Sequence, residues 1–272
     1  MAITINPISP VAVSIFGFDL RWYALAYIFA FVVGGYMYFR LMRDKKSGID
    51  LSKKQFDDLV TAVILGVILG GRLGYVLFYN FSYFLQNPLE IFAVWNGGMS
   101  FHGGMLGVIA AVFLYARRVK IGGAGTWFSA WKILDLMTVV APIGLFFGRI
   151  ANFINMEVMG RVTELSWGVI FNGHDTMPRH ASPLYEAVTE GLLLFIIMFC
   201  LCKYTKLRDR AGALSGIAAV LYAVFRIFCE QFRQPDAQIG FLTSWGLTMG
   251  QLLSGFMIFM GITIFAIAFR KK

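Results

Sequence analysis

The sequence predicts an all-α, polytopic integral membrane protein with about seven transmembrane helices. Of its 272 residues, 58% are hydrophobic and only 14% are charged, whereas soluble domains carry roughly 25% charged residues. A soluble fold of this length could not bury so much apolar surface, which excludes an ordinary soluble domain. Two further observations, the long apolar runs and the uneven distribution of basic residues, predict the helices and their orientation.

Seven stretches of the chain are long and apolar enough to cross a bilayer, which takes about 20 residues of helix. They cover approximately 20–40, 59–79, 99–116, 134–155, 184–202, 212–232 and 241–269. Gly66, Gly70 and Gly74 recur at four-residue spacing in the second stretch, a pattern that favours close packing against another helix. We expect a single transmembrane catalytic domain over 1–272, with a small extracytoplasmic loop region at about 157–183.

The basic residues predict the orientation. With the N-terminus placed outside, seventeen of the 24 Lys and Arg residues fall in inner segments, four in outer segments and three within spans. This excess follows the positive-inside rule and predicts an outside N-terminus and an inside C-terminus. The net charge of +9 is then a consequence of topology and of attraction to anionic lipid, so no nucleic-acid partner is expected.

The fourth stretch ends in an unusually polar segment, GRIANFINMEVMG, at residues 148–160. An arginine within a span is costly unless it is paired, reaches the interface or faces a polar cavity. At 100° per residue, Asn152 and Asn155 lie on the same side of the helix as Arg149, and we expect the helix to end near Glu157. Two interpretations are open: Arg149 pairs with Glu157 or another acid to join helices, or this face binds a ligand.

The sixth stretch carries a second polar stripe, in YAVFRIFCEQFRQPD at residues 222–236. Tyr222, Arg226, Glu230 and Arg233 project from one face of the predicted helix. Arg226 and Glu230 are four residues apart and could satisfy each other. That pairing does not account for Arg233 and Tyr222 on the same face.

Three further residues are candidates near the predicted outer surface. His102 lies in GGMSFHGGM at the start of the third stretch, and although a lone histidine is more often structural, the arginines at the same end favour function. Arg72 lies deeper in the second stretch, as a structural cation or one on an access route. Tyr23 is most simply an interfacial aromatic. This outer concentration of cations suits an anionic phospholipid headgroup, since guanidinium binds phosphate bidentately.

Several segments resemble the prolipoprotein diacylglyceryl transferase family of bacteria. They are RWY, GGRLGYVLFYN, SFHGG, GRIANFINMEVMG, PRHASPLYE and FRQPDAQ, spread from Arg21 to about Gln251. Family members move the diacylglyceryl group of phosphatidylglycerol onto the lipobox cysteine of a prolipoprotein, forming a thioether and releasing glycerol phosphate. The resemblance implies three partners (phosphatidylglycerol, the prolipoprotein signal peptide and the bilayer), and a location in the bacterial inner membrane with the active site facing the outer leaflet.

The residues and the resemblance together suggest a mechanism. Arg149 and Arg226 hold the phosphate of the lipid, and His102, with Tyr23 close by, assists deprotonation of the cysteine thiol. No metal or other cofactor is expected, because a neutralised phosphate is already an adequate leaving group. The remaining substrate-binding candidates are Asn152, Asn155, Glu157, Tyr222, Glu230, Arg233 and Arg72.

Two other classes of membrane protein deserve comparison. A transporter or flippase for an anionic lipid or solute predicts polar groups through both leaflets, often with inverted repeats. The inner halves of these stretches are nearly bare, and we see no repeat in the sequence. A haem-bearing electron carrier is less favoured, because His102 is the one histidine in a predicted helix.

Overall fold

A computed structural model describes residues 2–15, 18–44, 47–173, 176–235, 240–244 and 246–270. Helices dominate, as predicted. They are α1 (Trp22–Met42), α2 (Lys53–Phe78), α3 (Phe81–Gln86), α4 (Phe101–Arg118), α5 (Thr126–Ile154), α6 (Ser182–Glu186), α7 (Leu194–Tyr204), α8 (Ala213–Cys229) and α9 (Met249–Arg270). A π-helical segment, Ala187–Leu193, joins α6 to α7. Single 3₁₀ turns occupy Pro88–Phe92, Val94–Asn96, Ile121–Gly123 and Leu207–Asp209.

Each of the seven predicted stretches contains a helix. Among the described residues, five helical segments are long and apolar enough to cross a membrane: Trp22–Met42, Lys53–Phe78, Thr126–Ile154, Ser182–Tyr204 and Met249–Arg270. Phe256, Phe259 and Ile262 of α9 are each more than half exposed, as expected of side chains that face lipid rather than water. The chain is therefore a multi-pass membrane protein. The count of seven spans and the orientation of the termini stay predictions, because α8 has only 17 residues and α4 has 18.

The chain divides into two compact units, which we describe separately. One unit comprises residues 1–38 together with 135–272, and the other comprises 39–134. In the second unit, α2 begins with a capping box in which Ser52 and Gln55 satisfy each other's backbone amides.

Glycines let α2 and α4 pack backbone against backbone in the second unit. A Cβ atom at Gly66 would lie 2.7 Å from the carbonyl oxygen of Gly107, and one at Gly107 would overlap the carbonyl of Gly66. Gly70 and Gly103 face each other in the same way. The close packing that the glycine spacing predicts is therefore confirmed.

In its described part, the first unit contains four short strands, which the all-α prediction did not include. β1 (Ile3–Ile5) pairs in parallel with β4 (Val169–Phe171), and β2 (Val11–Ile15) pairs antiparallel with β3 (Phe18–Arg21). A small apolar core of Met156, Val169, Phe171 and Ala181 packs beneath β4. The loop region at 157–183, which the sequence predicts to be extracytoplasmic, therefore folds as a small module of residues 155–173 and 176–181 with β1. We call it the outer module after that prediction. Backbone pairing of Gly160 with Arg233 joins this module to the segment after α8.

Asp135 connects α5 to α8 at the opposite end from the outer module. Its buried carboxylate accepts hydrogen bonds from the backbone amides of Gly212 and Ser215, both at 2.8 Å, and from Ser215 Oγ at 2.7 Å. These amides belong to the first turn of α8, which otherwise has unsatisfied donors. Asp135 therefore fixes the start of α8 against α5, and these two helices carry Arg226 and Arg149 respectively.

We predict that Gly107→Ala lowers the thermal unfolding temperature of the protein in detergent. The new methyl group overlaps backbone that cannot rotate away, and such overpacking costs about 1–3 kcal/mol. Gly35→Ala is the matched control, because no described heavy atom lies within 4 Å of the added methyl group. Alanine favours helix over glycine by roughly 1 kcal/mol, so the control is expected to be neutral or stabilising. Equal effects of the two substitutions would contradict the packing described for α2 and α4.

Candidate active site

Arg149 of α5 and Arg226 of α8 contact the same carboxylates. Arg149 Nε lies 2.8 Å from Glu186 Oε2, and Arg149 Nη2 lies 3.3 Å from Glu190 Oε2. Arg226 Nη1 lies 3.2 Å from Glu186 Oε2 and 3.6 Å from Glu190 Oε1. Both arginines contact the same oxygen, Glu186 Oε2. Arg149 Nε and Arg226 Nη1 can therefore be no further apart than the 2.8 Å and 3.2 Å contacts placed end to end. That separation allows both guanidinium groups to reach one phosphate.

Glu186 and Glu190 lie where α6 passes into the π-helical segment. Both side chains are completely buried. Gly191 in this segment packs directly against α5, since a Cβ atom there would lie 2.7 Å from the Cα of Phe146. Such π-helical turns are rare and occur frequently at functional sites. Here the turn and its glycine bring two carboxylates to the arginine of α5.

Neither glutamate is among the site residues predicted from the sequence. Ionisable groups inside membrane spans are costly and are therefore usually functional. This rule singled out Arg149, and it applies equally to two acids four residues apart in the apolar stretch 184–202. Of the two interpretations of Arg149, pairing with an acid is confirmed. The partners are Glu186 and Glu190, whereas Glu157 binds the asparagines.

Glu157 accepts hydrogen bonds from both asparagines of the polar segment. Asn152 Nδ2 lies 2.9 Å from Glu157 Oε2, and Asn155 Nδ2 lies 3.3 Å from Glu157 Oε1. The helix ends at Ile154, close to the predicted end, and the chain turns through Met156 and Val158 at φ values of 55° and 57°. Residues other than glycine rarely adopt this left-handed conformation, and when they do they cluster at functional sites. The turn directs Glu157 back to the end of α5.

Arg226 also pairs with Glu230, so the predicted pairing across one helical turn is confirmed. Arg233 Nη1 lies 3.9 Å from Glu186 Oε1. The charged cluster thus contains three arginines and three glutamates whose formal charges cancel, which is the condition under which buried charges are tolerated. Its members are Arg149, Arg226, Arg233, Glu186, Glu190 and Glu230.

Tyrosines surround this charged cluster. Tyr222 lies within electrostatic range of Arg149, Arg226 and Glu190. The rings of Tyr23 and Tyr27 are 5.1 Å apart, and Tyr27 is within electrostatic range of Arg149 and Glu157. Tyr23 belongs to the same compact unit as the two arginines.

Not every buried polar atom of the cluster is satisfied. Among the residues that the structure describes, five buried atoms in or beside the cluster have no partner with hydrogen-bond geometry: Arg226 Nη1, Asn155 Oδ1, both carboxylate oxygens of Glu186 and Glu190 Oε1. The three carboxylate oxygens are ion-paired with arginines, and Arg226 Nη1 takes part in two of these ion pairs. Unsatisfied buried polar groups are rare in native proteins, and binding a ligand is one common reason for them. An arginine donor and an amide oxygen in this condition suit an anionic ligand that also carries hydroxyl groups.

His102 and Arg72 belong to the other compact unit. His102 is exposed in the first turn of α4, which Ser100 caps by accepting a hydrogen bond from the Gly103 amide. Arg72 is buried and donates to five backbone carbonyls, among them Ile91 at 2.9 Å and Gly98 at 3.2 Å. These contacts favour the structural role for Arg72, which fixes the loop that leads into α4.

We predict that Glu186→Gln lowers the free energy of unfolding by about 3–5 kcal/mol, the cost of removing one partner from a buried ion pair. Glu186 contacts three arginines, so its loss leaves cations without a counter-charge. Chemical denaturation in detergent measures this difference. Glu164→Gln, at an exposed carboxylate of the outer module, is the control and should change stability little. A Glu186→Gln protein as stable as this control would show that the charged cluster does not need the carboxylate.

Comparison with known proteins identifies the family of this chain. The family model described as prolipoprotein diacylglyceryl transferase matches residues 10–267. The chain is 47% identical to the phosphatidylglycerol–prolipoprotein diacylglyceryl transferase of Rhodospirillum rubrum, over 100% of this chain and 96% of the relative. It is 47% identical to that of Paramagnetospirillum magneticum, over 97% and 95%, and 45% identical to that of Azospirillum brasilense, over 100% and 98%. This chain belongs to the prolipoprotein diacylglyceryl transferase family.

Proposed function

We propose that this protein transfers the sn-1,2-diacylglyceryl group of phosphatidylglycerol to the lipobox cysteine of a prolipoprotein. A sulfur–carbon bond forms as the bond between the glyceryl carbon and the phosphate oxygen breaks. The thiol proton passes to a base, and the electron pair of the broken bond stays on the departing glycerol phosphate. Family membership supports this reaction. The observation that carries the mechanism is that Arg149 and Arg226 meet at one shared carboxylate between apolar helices.

Arg149 and Arg226 form the proposed phosphate clamp. Negative charge increases on the phosphate as it departs, so two fixed guanidinium groups stabilise the transition state more than the bound lipid. Arg226 Nη1 is buried, and its ion pairs with Glu186 and Glu190, at 3.2 Å and 3.6 Å, lack hydrogen-bond geometry; we assign this donor to a phosphate oxygen. The apolar surroundings strengthen this interaction relative to the same contact in water.

Glu186 and Glu190 hold the clamp together. Two guanidinium groups this close repel each other, and the repulsion grows as the effective dielectric constant falls. The two carboxylates offset the repulsion and fix both arginines in one place before the lipid binds. Catalysis by oriented charges depends on this kind of preorganisation.

The other polar residues of the same unit are assigned to the headgroup and to the arginines. Asn152, Asn155, Glu157 and Tyr222 would orient the glycerol headgroup, whose hydroxyl groups both donate and accept hydrogen bonds. Glu230 holds Arg226 in place, and Arg233 holds Glu186. We assign Arg72 to the fold of the second unit, since its donors bind backbone carbonyls.

The nucleophile is a cysteine thiolate, because thiols have a pKa near 8.5 and react in the deprotonated form. We propose His102 as the base that assists this deprotonation, together with Tyr23. The support for His102 is its place between glycines in the first turn of α4 and the family resemblance. Imidazole is suited to this task, since its ordinary pKa lies close to neutrality.

We propose that the whole chain acts as one catalytic domain of seven spans in the bacterial inner membrane. The excess of basic residues in the inner segments supports an outside N-terminus and an inside C-terminus. In that orientation the charged cluster faces the outer leaflet and the periplasm. Its partners there are phosphatidylglycerol and the signal peptide that carries the lipobox cysteine.

We predict that Arg149→Ala and Arg226→Ala each reduce the transfer rate on the order of 100-fold or more, the usual cost of losing one transition-state donor. The assay combines the purified protein, phosphatidylglycerol and a lipobox peptide, and measures the mass increase of the peptide and the release of glycerol phosphate. Arg118→Ala, at the exposed end of α4, is the control. Near-normal transfer by either clamp variant would exclude the clamp. Lipid translocation without bond cleavage would favour the transporter or flippase instead.

We predict that His102→Gln loses most of the transfer activity when assayed near neutral pH. Glutamine keeps hydrogen-bonding capacity but cannot accept a proton, and general-base catalysis contributes typically 100-fold or more. Raising the pH should partly restore the variant, because more of the peptide thiol ionises without assistance. Full activity of His102→Gln at neutral pH would reassign the base and leave the clamp unaffected.

A further inference from the structure

We propose that Thr248, immediately before α9, is a positioning residue that fixes Arg226 through Glu230. The inference rests on the proposed function of the charged cluster and identifies what keeps one of its arginines in place. Thr248 is buried, as is Glu230, and it precedes α9, a helix that carries no member of the cluster.

The two carboxylate oxygens of Glu230 contact different parts of the chain. Oε1 pairs with Arg226 Nη2 of α8, and Oε2 accepts a hydrogen bond of 2.7 Å from Thr248 Oγ1. Hydrogen bonds to charged groups are roughly twice as strong as those between neutral groups. The threonine hydroxyl therefore determines the side-chain conformation from which Glu230 reaches the arginine.

The first turn of α9 holds this hydroxyl in a fixed direction. Thr248 Oγ1 accepts a hydrogen bond from the Gln251 amide at 3.2 Å, and Gln251 Oε1 accepts one from the Thr248 amide at 3.1 Å. This is the reciprocal arrangement of a capping box. Since the hydroxyl oxygen accepts from Gln251, its proton is left to donate to Glu230.

Gly250 brings the backbone of α9 against the same carboxylate. A Cβ atom at Gly250 would lie 2.5 Å from Glu230 Oε1 and 2.7 Å from its Cδ. The carboxylate therefore lies against the start of a helix, where the backbone dipole favours negative charge. The start of α9 thus limits the movement of Glu230 both by a hydrogen bond and by contact.

The backbone of Glu230 is fixed independently of Thr248. Arg161 of the outer module donates to the carbonyl oxygen of Glu230 at 3.1 Å and to that of Arg233 at 3.0 Å. Removing the threonine hydroxyl would therefore release the Glu230 side chain without releasing the end of α8. Arg226 would then be drawn towards Glu186 and Glu190 and away from the phosphate. Misplacement of a catalytic group by about 1 Å can cost 100-fold in rate.

The test compares three substitutions in the transfer assay. Thr248→Val keeps the shape and removes the hydroxyl, and we expect kcat to fall about 10-fold or more with a smaller change in the KM for phosphatidylglycerol. Thr248→Ser retains the hydroxyl and should restore kcat. Gln251→Ala removes the capping partner but keeps the bond from Thr248 to Glu230, so it should lower the unfolding temperature while kcat stays near that of the unsubstituted protein.

A second pair of variants tests whether the position of the Glu230 carboxylate matters for transfer, by adding a methyl group to α9. Gly250→Ala should displace the carboxylate and lower kcat. Gly255→Ala, in the same helix with no described heavy atom within 4 Å of the added methyl group, should not. Normal kcat in Thr248→Val, or equal losses in Thr248→Val and Gln251→Ala, would overturn the inference. Absence of transfer by the unsubstituted protein would overturn the proposed function itself, so the two failures are distinguishable.

Discussion

Two arginines share a buried pair of carboxylates between apolar helices, and much of the architecture of the first unit follows from that pairing. An unpaired charge among such helices costs several kcal/mol, so Arg149 and Arg226 require Glu186 and Glu190 at contact distance. This requirement determines which helices meet. It joins α5, α8 and the segment Ser182–Tyr204 at one point, with a glycine and a π-helical turn allowing the approach.

The surrounding elements restrict the cluster from several sides. Asp135 of α5 fixes the start of α8, and Arg161 of the outer module binds carbonyl oxygens at and just after the end of α8. The start of α9 contacts Glu230. Asp135, Arg161 and Thr248 therefore serve to orient the arginines or the residues that hold them. Such support by a second layer of residues is what keeps a functional geometry precise.

Much of the site could be predicted because local rules apply to it. Charges inside apolar stretches are unusual enough to be informative, which identified Arg149 and Arg226, and the glycine spacing of α2 predicted its close packing. Glu186 and Glu190 were open to the same rule and were missed. The parallel pairing of β1 with β4 joins residues 3–5 to 169–171, and strands of three residues leave no periodic signal. The role of Arg72 depends on a loop backbone whose carbonyls converge only in the folded chain.

A structure of the protein with phosphatidylglycerol bound tests the central claim most directly, because the proposed clamp requires both Arg149 and Arg226 to lie within hydrogen-bond distance of the phosphate. The proposed mechanism predicts phosphate oxygens within about 2.7–3.2 Å of a guanidinium nitrogen of both Arg149 and Arg226. Glu186 and Glu190 should remain in contact with both arginines in that complex. A phosphate that contacts neither arginine, or only one of them, would contradict the clamp.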